Sequence, residues 1–488
     1  MILLKVNSNY GEPIYKQIYS QIVGLIGKDV LKPGDKLPSS RKLADQLGVN
    51  RTTVYKAYEE LWSKGFTECR QGSYSFVRKR IEVKTFETAD EKKTIDWNKK
   101  IIPSTKKLTA NVNMHRNPKG EKGAIDFVSL SPDQRLMPVE RFRKCINDVL
   151  LEQKESILDY GDTLGYKPLR KFITEQMRQH SVHVNEDEVI LTNGCQNGIE
   201  LVLKLLVKPG DKIITESPIY SSTIPMFKNY TDKLIAVSLN ENGMELNLFE
   251  KTVKKERPAV FYTIPNFHNP TGITTSQVYR EELLKICEKY KLPVIEDGFS
   301  EEMKYFGKNI LPIKSMDKSN LVFYLGTFSK VLFPGLRIGW IAADKECINH
   351  FTAMKRSSEI TGVALTQAAL YRFCKLGYYE LHIKKLHKVY KRRMHTAINS
   401  IKEFVPVGKF SFTKPFGGYT MLIEAKDNKI DEEKLVGNIL NAGVAVSPGK
   451  IFYPGKHDKA SFRVSIAKCD ENEIVEGFKK IGKALKNL

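Results

Sequence analysis

At 488 residues the chain is too long for one ordinary domain and long enough to bury several cores. Its formal net charge of +22 favours a polyanionic partner, nucleic acid first, because clustered Lys and Arg gain affinity by releasing counterions, although a Lys-rich solvated surface fits the charge equally well. A membrane span and a disulfide or metal scaffold are excluded: no stretch reaches ~18 uninterrupted apolar residues, the start Met1-Ile2-Leu3-Leu4-Lys5 has no leader-like apolar run, and the seven cysteines (Cys69, Cys145, Cys195, Cys287, Cys347, Cys374, Cys469) are scattered without a CxxC pair or metal-ligand spacing. A soluble, cytoplasmic protein is expected.

From Pro13 to Gly27 the residues Ile14, Ile18, Ile22, Leu25 and Ile26 recur at helical spacing, with Pro13 suited to a first turn. After the turn Lys32-Pro33-Gly34-Asp35, Ser39 or Ser40 caps a short helix that carries Leu43, Ala44 and Leu47 and ends at Gly48. Asn50 caps a third helix, which places Val54, Ala57, Leu61 and Trp62 on its inner face and leaves Arg51, Thr52, Tyr55 and Lys56 pointing outward until Gly65 stops it. Phe66 to Val77 reads as two short strands around Gln71-Gly72-Ser73. Three helices and a hairpin make a winged helix-turn-helix over residues 1–78.

Residues 79–122 lose the pattern in Lys, Thr, Asn and Pro and read as a basic linker, placed to contact DNA phosphates or an opposite subunit. From Asp126 onward short apolar runs alternate with helical patterns: Val189–Thr192, Lys212–Thr215, Val260–Thr263, Val294–Asp297 and Leu321–Leu325. Residues 123–488 therefore form an α/β body with a mostly parallel sheet, whose ligands sit beyond the carboxyl ends of the strands. From about 411 to 488 a finer alternation marks a smaller α+β lobe.

In a helix-turn-helix the second helix of the motif enters the major groove and side chains near its start reach base edges. Arg51 is placed to read guanine, Thr52 and Thr53 to bond phosphate or touch a thymine methyl, Tyr55 to bond the backbone, and Arg41 to meet phosphate or base. On these residues alone a protein-interaction module with a basic face is the alternative. With Lys-Pro-Gly-Asp-Lys-Leu-Pro-Ser-Ser-Arg at 32–41 and Asn-Arg-Thr-Thr-Val-Tyr at 50–55, however, Pro13 to Val77 resembles the GntR family of winged-helix regulators, which implies double-stranded DNA as partner. The wing departs from the family: Gln71-Gly72-Ser73 lacks the basic residue often found there, so its groove contact rests on backbone amides at Gly72.

In the body, Gly326-Thr327-Phe328-Ser329-Lys330 follows an apolar strand and Pro334-Gly335-Leu336-Arg337 comes just behind it. A lysine at a strand end in a dry pocket is a nucleophilic amine, and Thr327, Ser329 and Arg337 can supply donors to a phosphate. A surface lysine is the plain alternative. Asp297 closes Pro293-Val-Ile-Glu-Asp at the same sheet edge, either as a cap or as an ionised partner for a pyridine nitrogen. Asn269, in Asn-Pro-Thr-Gly, is a turn residue or a donor to a ring hydroxyl, and Cys195 and Gln196 at a helix start can hold a phosphate on their amides.

The order Asn-Pro-Thr-Gly, Asp, Ser-Lys and then Arg seven residues on resembles the fold-type I pyridoxal-phosphate aminotransferases over about 126–488. The resemblance implies that pyridoxal 5'-phosphate forms an aldimine with Lys330, that Asp297 pairs the pyridinium, that Asn269 bonds the ring oxygen and that Tyr220 packs on or near the ring. It makes Arg463 the grip for an amino acid α-carboxylate, where a salt-bridged strand arginine is the alternative. Phe299 stands where the family commonly has a tyrosine bonding the ring oxygen, which puts efficient transamination in doubt.

A GntR-like head on an aminotransferase-like body resembles the MocR subfamily from end to end. That implies a homodimer paired head-to-tail, with an amino acid, an amine or pyridoxal phosphate itself as effector. A working aminotransferase with a DNA-binding head is the alternative.

Overall fold

In the computed structural model, which describes residues 4–7, 11–70, 74–79, 95–116, 123–307 and 309–486, the chain divides into two units, Met1–Asn98 and Lys99–Leu488. In the first, the expected helices form at Ile14–Gly27, Ser40–Leu47 and Arg51–Ser63, and the hairpin at Thr67–Arg70 and Tyr74–Val77. Their ends follow local chemistry. The Ser39 hydroxyl accepts from the Lys42 amide at 3.3 Å, Gly48 closes the second helix in the left-handed conformation at φ 64°, and the Asn50 side-chain Oδ1 accepts from the Thr52 amide at 3.0 Å.

One expectation for the third helix is corrected. Its buried face is Val54, Ala57, Tyr58 and Leu61, whereas Trp62 is 61% exposed. Positions 54, 57, 58 and 61 are the i, i+3, i+4, i+7 stripe, and Trp62 falls one step past its edge. Tyr58 belongs inside because its hydroxyl donates to the Pro38 carbonyl at 2.9 Å, which ties the third helix to the start of the second.

The linker reading is also corrected. Helices occupy Trp97–Lys100 and Pro103–Met114, the second with Pro103 in its first turn, and it packs along the body helix Thr223–Tyr230. His115, just past that helix, is buried, and its Nδ1 lies 2.8 Å from the Ile451 carbonyl oxygen. This polar sequence is anchored by a few specific bonds rather than by an apolar stripe, so periodicity does not reveal it.

The body is built on an eight-stranded sheet in the order Val189–Thr192, Gly339–Ala342, Val322–Thr327, Val294–Asp297, Val260–Thr263, Ile213–Ser217, Leu234–Asn240, Gly243–Met244. The five strands from Val322–Thr327 to Leu234–Asn240 are parallel, while Gly339–Ala342 and Gly243–Met244 run antiparallel to their neighbours. The central strands are buried along their length, as expected where helices cover both faces. A second, antiparallel sheet of Phe410–Phe412, Thr420–Ala425, Ser461–Ser465 and Ser447–Pro448 forms the smaller lobe, and Ile125–Asp126 pairs with Val444–Ala445 beside it. The 27-residue helix Tyr378–Phe404 packs against the C-terminal helix Glu471–Lys486. Among the described residues no helix is long and apolar enough to cross a membrane, and no group of His, Cys, Asp and Glu is arranged to hold a metal.

The corrected third helix has a measurable consequence. In urea unfolding of the full chain, Leu61→Ala should destabilise the first unit by about 2–5 kcal/mol. Trp62→Ala should stay within about 0.5 kcal/mol, and a loss comparable to that of Leu61→Ala would show Trp62 to be a core residue.

Candidate functional site

Three strands of the large sheet and one helix start carry much of the pocket. The strand Val294–Asp297 ends on Asp297, which is 2% exposed, and its parallel neighbour Val322–Thr327 leads into Ser329 and Lys330. Across the sheet edge, Val189–Thr192 turns through Gly194 into the helix Cys195–Leu206. Lys330, Asp297, Asn269, Tyr220, Arg337, Thr327, Ser329, Cys195 and Gln196, the expected cofactor residues, all line one pocket together with Phe299, Leu130 and Ile264.

Asp297 is fully committed to hydrogen bonds. One carboxylate oxygen accepts the Tyr262 hydroxyl at 2.7 Å, the other accepts the Phe299 amide at 3.2 Å, and the Cys195 thiol donates as well. Burial nevertheless holds its pKa above the ordinary carboxylate value, so a cation facing it would be strongly favoured. Burial also lowers the Lys330 amine to about 8, helped by the positive charges of Arg463 and Arg337 and opposed by Cys195 and Asp297. About a tenth of that amine is therefore neutral and nucleophilic at pH 7, far more than for a lysine in water.

At the pocket's far wall the first amides of the helix Cys195–Leu206 have no intrahelical acceptor, and Gly194 offers no side-chain cap. Gly194 has φ +84°, and a Cβ there would come within 2.6 Å of Arg337 Nη2, so the cradle between the helix start and the guanidinium exists only because residue 194 is glycine. Arg337 is held there by donating to the Asn193 carbonyl at 2.7 Å, and the Thr327 hydroxyl donates to Ser329 Oγ at 3.1 Å. Helix amides, two hydroxyls and a guanidinium form a set of donors that could hold a phosphate, while a buried amine and a buried carboxylate line the same pocket. The donor set suits a phosphorylated pyridine aldehyde.

Arg463 does not line the pocket; it stands one bond behind it. Its Nη1 donates to Asn269 Oδ1 at 3.1 Å and its Nη2 to Ser447 Oγ at 2.9 Å and to the Val128 carbonyl, while Nε has no partner among the described residues. Because Asn269 Oδ1 is taken by the arginine, its amide nitrogen is left for the pocket. Burial lowers the guanidinium to about 10, and every acceptor it has is neutral.

In the other unit, Arg41, Arg51, Thr52 and Tyr55 are exposed and Thr53 is half-buried at the start of the third helix. Arg51 Nε leans on Ser40 Oγ at 3.4 Å, and the Thr52 hydroxyl is engaged by Asn50 Oδ1 at 2.9 Å. Gly72 lies outside the described residues. A basic group does stand at the base of the wing, where Lys36 Nζ sits 3.1 Å from the centroid of the Tyr74 ring.

Residues 129–481 match the family model described as aminotransferase class I and II, and residues 14–77 match that of bacterial regulatory proteins, gntR family. The chain belongs to the aminotransferase class I and II family. Membership brings the family's cofactor, pyridoxal phosphate, which supplies an electron sink for bond breaking at an amino acid's α-carbon. The chain is similar to aromatic-amino-acid aminotransferase 1 of Thermococcus litoralis, at 32% identity over 74% of this chain and 88% of the relative. It is similar almost from end to end to the uncharacterized HTH-type transcriptional regulator YisV of Bacillus subtilis, at 27% identity over 98% of this chain and 96% of the relative. Among solved structures, the multiple substrate aminotransferase of Thermococcus profundus superposes with a TM-score of 0.74 at 29% identity, covering 80% of this chain and 99% of that one.

Within this aminotransferase-family body, Tyr262 is the residue that sequence reasoning missed. It lies inside an apolar strand run, and only the parallel pairing of Val260–Thr263 with Val294–Asp297 carries its hydroxyl to Asp297. Its signal was a phenolic hydroxyl in a fully buried strand.

The lowered lysine predicts a pH profile. When pyridoxal phosphate is added to the cofactor-free chain, the rate at which the visible absorption band forms should rise with pH and level off above about pH 8, where the Lys330 amine is neutral. The band should be absent in Lys330→Ala. A rate that keeps climbing into the ordinary lysine range would place Lys330 in solvent.

Proposed function

We propose that this chain is a transcriptional regulator of the MocR type. Its helix-turn-helix unit binds double-stranded DNA, and its aminotransferase-like body carries pyridoxal phosphate on Lys330 as an aldimine and senses an amino acid, an amine or the cofactor itself. The protein works as a head-to-tail homodimer in the cytoplasm. The observation that carries this reading is the conjunction, in one chain, of a gntR-family unit with a pocket in which the lysine, aspartate and phosphate cradle are all retained.

Arg463 supports an effector with a carboxylate. A buried guanidinium whose described partners are all neutral is costly, and an incoming carboxylate would relieve that cost with a charge-assisted pair. Because Arg463 also holds Asn269, a ligand gripped there would pull on the residue proposed for the cofactor's ring oxygen. Phe299 offers the ring no hydroxyl, which weighs toward sensing over turnover. In the head, Arg41, Arg51, Thr52, Thr53, Tyr55 and Gly72 are the proposed DNA contacts; since the Thr52 hydroxyl already bonds Asn50, its methyl is the group left for a base.

The test is operator affinity by fluorescence anisotropy on DNA fragments selected from a random library, with pyridoxal phosphate, amino acids and amines titrated in turn. One ligand class should shift affinity by about 5–150-fold, the usual range of allosteric coupling. Arg463→Ala should abolish the shift due to amino acids while leaving the response to cofactor. Arg51→Ala should weaken specific binding by about 1–3 kcal/mol. If no ligand moves the affinity while the chain turns over an amino donor and a 2-oxo acid, the protein is an aminotransferase with a DNA-binding head.

A further inference from the structure

Beyond the cofactor pocket, the body holds a larger cavity of about 500 Å³, within the range of small-molecule sites. It lies where the two lobes of the body meet. The segment after Asp297 forms one side, and its Tyr305 and Phe306 amides both donate to the Phe416 carbonyl of the small lobe, at 3.1 and 3.0 Å, while Gly418 donates back to Met303 at 2.7 Å. A narrow space of about 30 Å³ lies between this cavity and the cofactor pocket. It shares Phe299 and Thr327 with the pocket and Glu301 with the cavity, and it is lined by the Ser300 hydroxyl, which is buried and has no partner among the described residues.

Glu301 faces both spaces. Its two carboxylate oxygens accept from Asn266 Nδ2 at 2.9 and 2.8 Å, and no Lys, Arg or His among the described residues forms an ion pair with it. The cations nearby are occupied elsewhere. Arg280, fully buried, donates to Asn266 Oδ1 at 2.5 Å and to the Leu311 carbonyl at 2.8 Å; His180 meets Glu302 at 3.5 Å; Lys304 donates to Asn309 at 2.8 Å. Arg280 thus fixes the Asn266 amide with its donor toward Glu301; the carboxylate's hydrogen bonds come from a neutral amide, while the charges of His180 and Arg280 reach it only through space.

Three aromatic rings, Phe267, Phe306 and Phe416, join a lining that is otherwise largely polar, with Glu241, Glu302 and Lys304 among it. Phe267 holds φ +52°, a conformation that costs a bulky side chain energy and persists only where its surroundings enforce it. Gly417 leaves room for that ring, because a Cβ there would come within 2.3 Å of Phe267 Cε1. Phe416, by contrast, is 51% exposed at the cavity mouth. Aromatic faces beside a carboxylate that lacks a cation form the pairing that recognises an ammonium group.

We propose that this cavity is a second ligand site, distinct from the cofactor pocket, that takes an organic ammonium: its charge against Glu301, its apolar or aromatic body between Phe267, Phe306 and Phe416. Occupancy is transmitted to the cofactor pocket by short paths. Asn266 and Phe267 precede Asn269 in one loop, Glu301 follows Asp297 by four residues, and the cavity spans both lobes.

The site does not depend on the regulator reading, since its test reads binding to the body and not to DNA. The probe is N,N-dimethyl-2-phenylethylammonium, a tertiary amine that cannot condense with the cofactor, titrated calorimetrically into the full chain loaded with pyridoxal phosphate. Saturable binding is expected, weakened at least about tenfold in Glu301→Gln and for the uncharged analogue 2-phenylethanol. Phe416→Ala, which removes a half-exposed ring and is expected to leave the fold intact, should weaken it severalfold. Retention of the visible cofactor band checks that each variant is folded. Absence of saturable binding to the wild-type chain overturns the proposal, and so does binding that survives both substitutions.

Discussion

Asp297 lies at the carboxyl end of a central strand, almost without solvent, with its oxygens committed to Tyr262, Cys195 and the Phe299 amide. A carboxylate in such a place costs free energy unless something positive faces it, and the architecture around it is arranged to bring cations there. The next strand over supplies Lys330, whose charge reaches Asp297, and Arg463 and Arg337 act in turn on Lys330. The same burial that raises the acid lowers the amine, so the two groups approach one another in proton affinity. That is the condition for a lysine that reacts and a carboxylate that holds a pyridine nitrogen charged.

Phe299 alters this arrangement without dismantling it. A phenyl ring at the pocket wall donates no hydrogen bond, so on the proposed reading the electronic adjustment of the cofactor's ring would rest on Asp297 and Asn269. Retained binding groups with a weakened chemical adjustment are what a sensor needs, because a sensor must hold its ligand longer than it must convert it. The lobes meet behind this wall through backbone hydrogen bonds between 303–306 and 416–418, which makes their contact directional and therefore responsive to small displacements.

The head is held by different physics. Its core is a small set of aliphatic residues, among them Ile18, Ile22, Leu43, Val54 and Leu61, and its helix starts are set by Ser39 and Asn50. Capping fixes where the third helix begins, and so which residues stand exposed at its N-terminus. Helix amides and exposed Arg side chains at such a start attract phosphate, an electrostatic preference that needs no burial.

The sequence by itself determined the order of the units, most of the helices and strands, and a set of residues that the fold gathers into one pocket, because these depend on local information. Apolar periodicity marks Val294–Asp297 and Val322–Thr327, caps mark the head helices, and the spacing of Asn269, Asp297, Lys330 and Arg337 carries the chemistry. Its failures have physical causes. Trp62 was placed inside because hydrophobicity says nothing of a one-residue step past a helical stripe, and the helix Pro103–Met114 was read as linker because its anchors are partners far away in sequence. Only the tertiary structure decided that Tyr262 bonds Asp297, that Arg463 bonds Asn269 from behind the pocket lining, and that Glu301 has no ion-pair partner among the described residues in a cavity it shares with three phenylalanines. Each of those facts joins residues from strands or lobes remote in the chain. Long-range pairing sets them, and no local pattern encodes it.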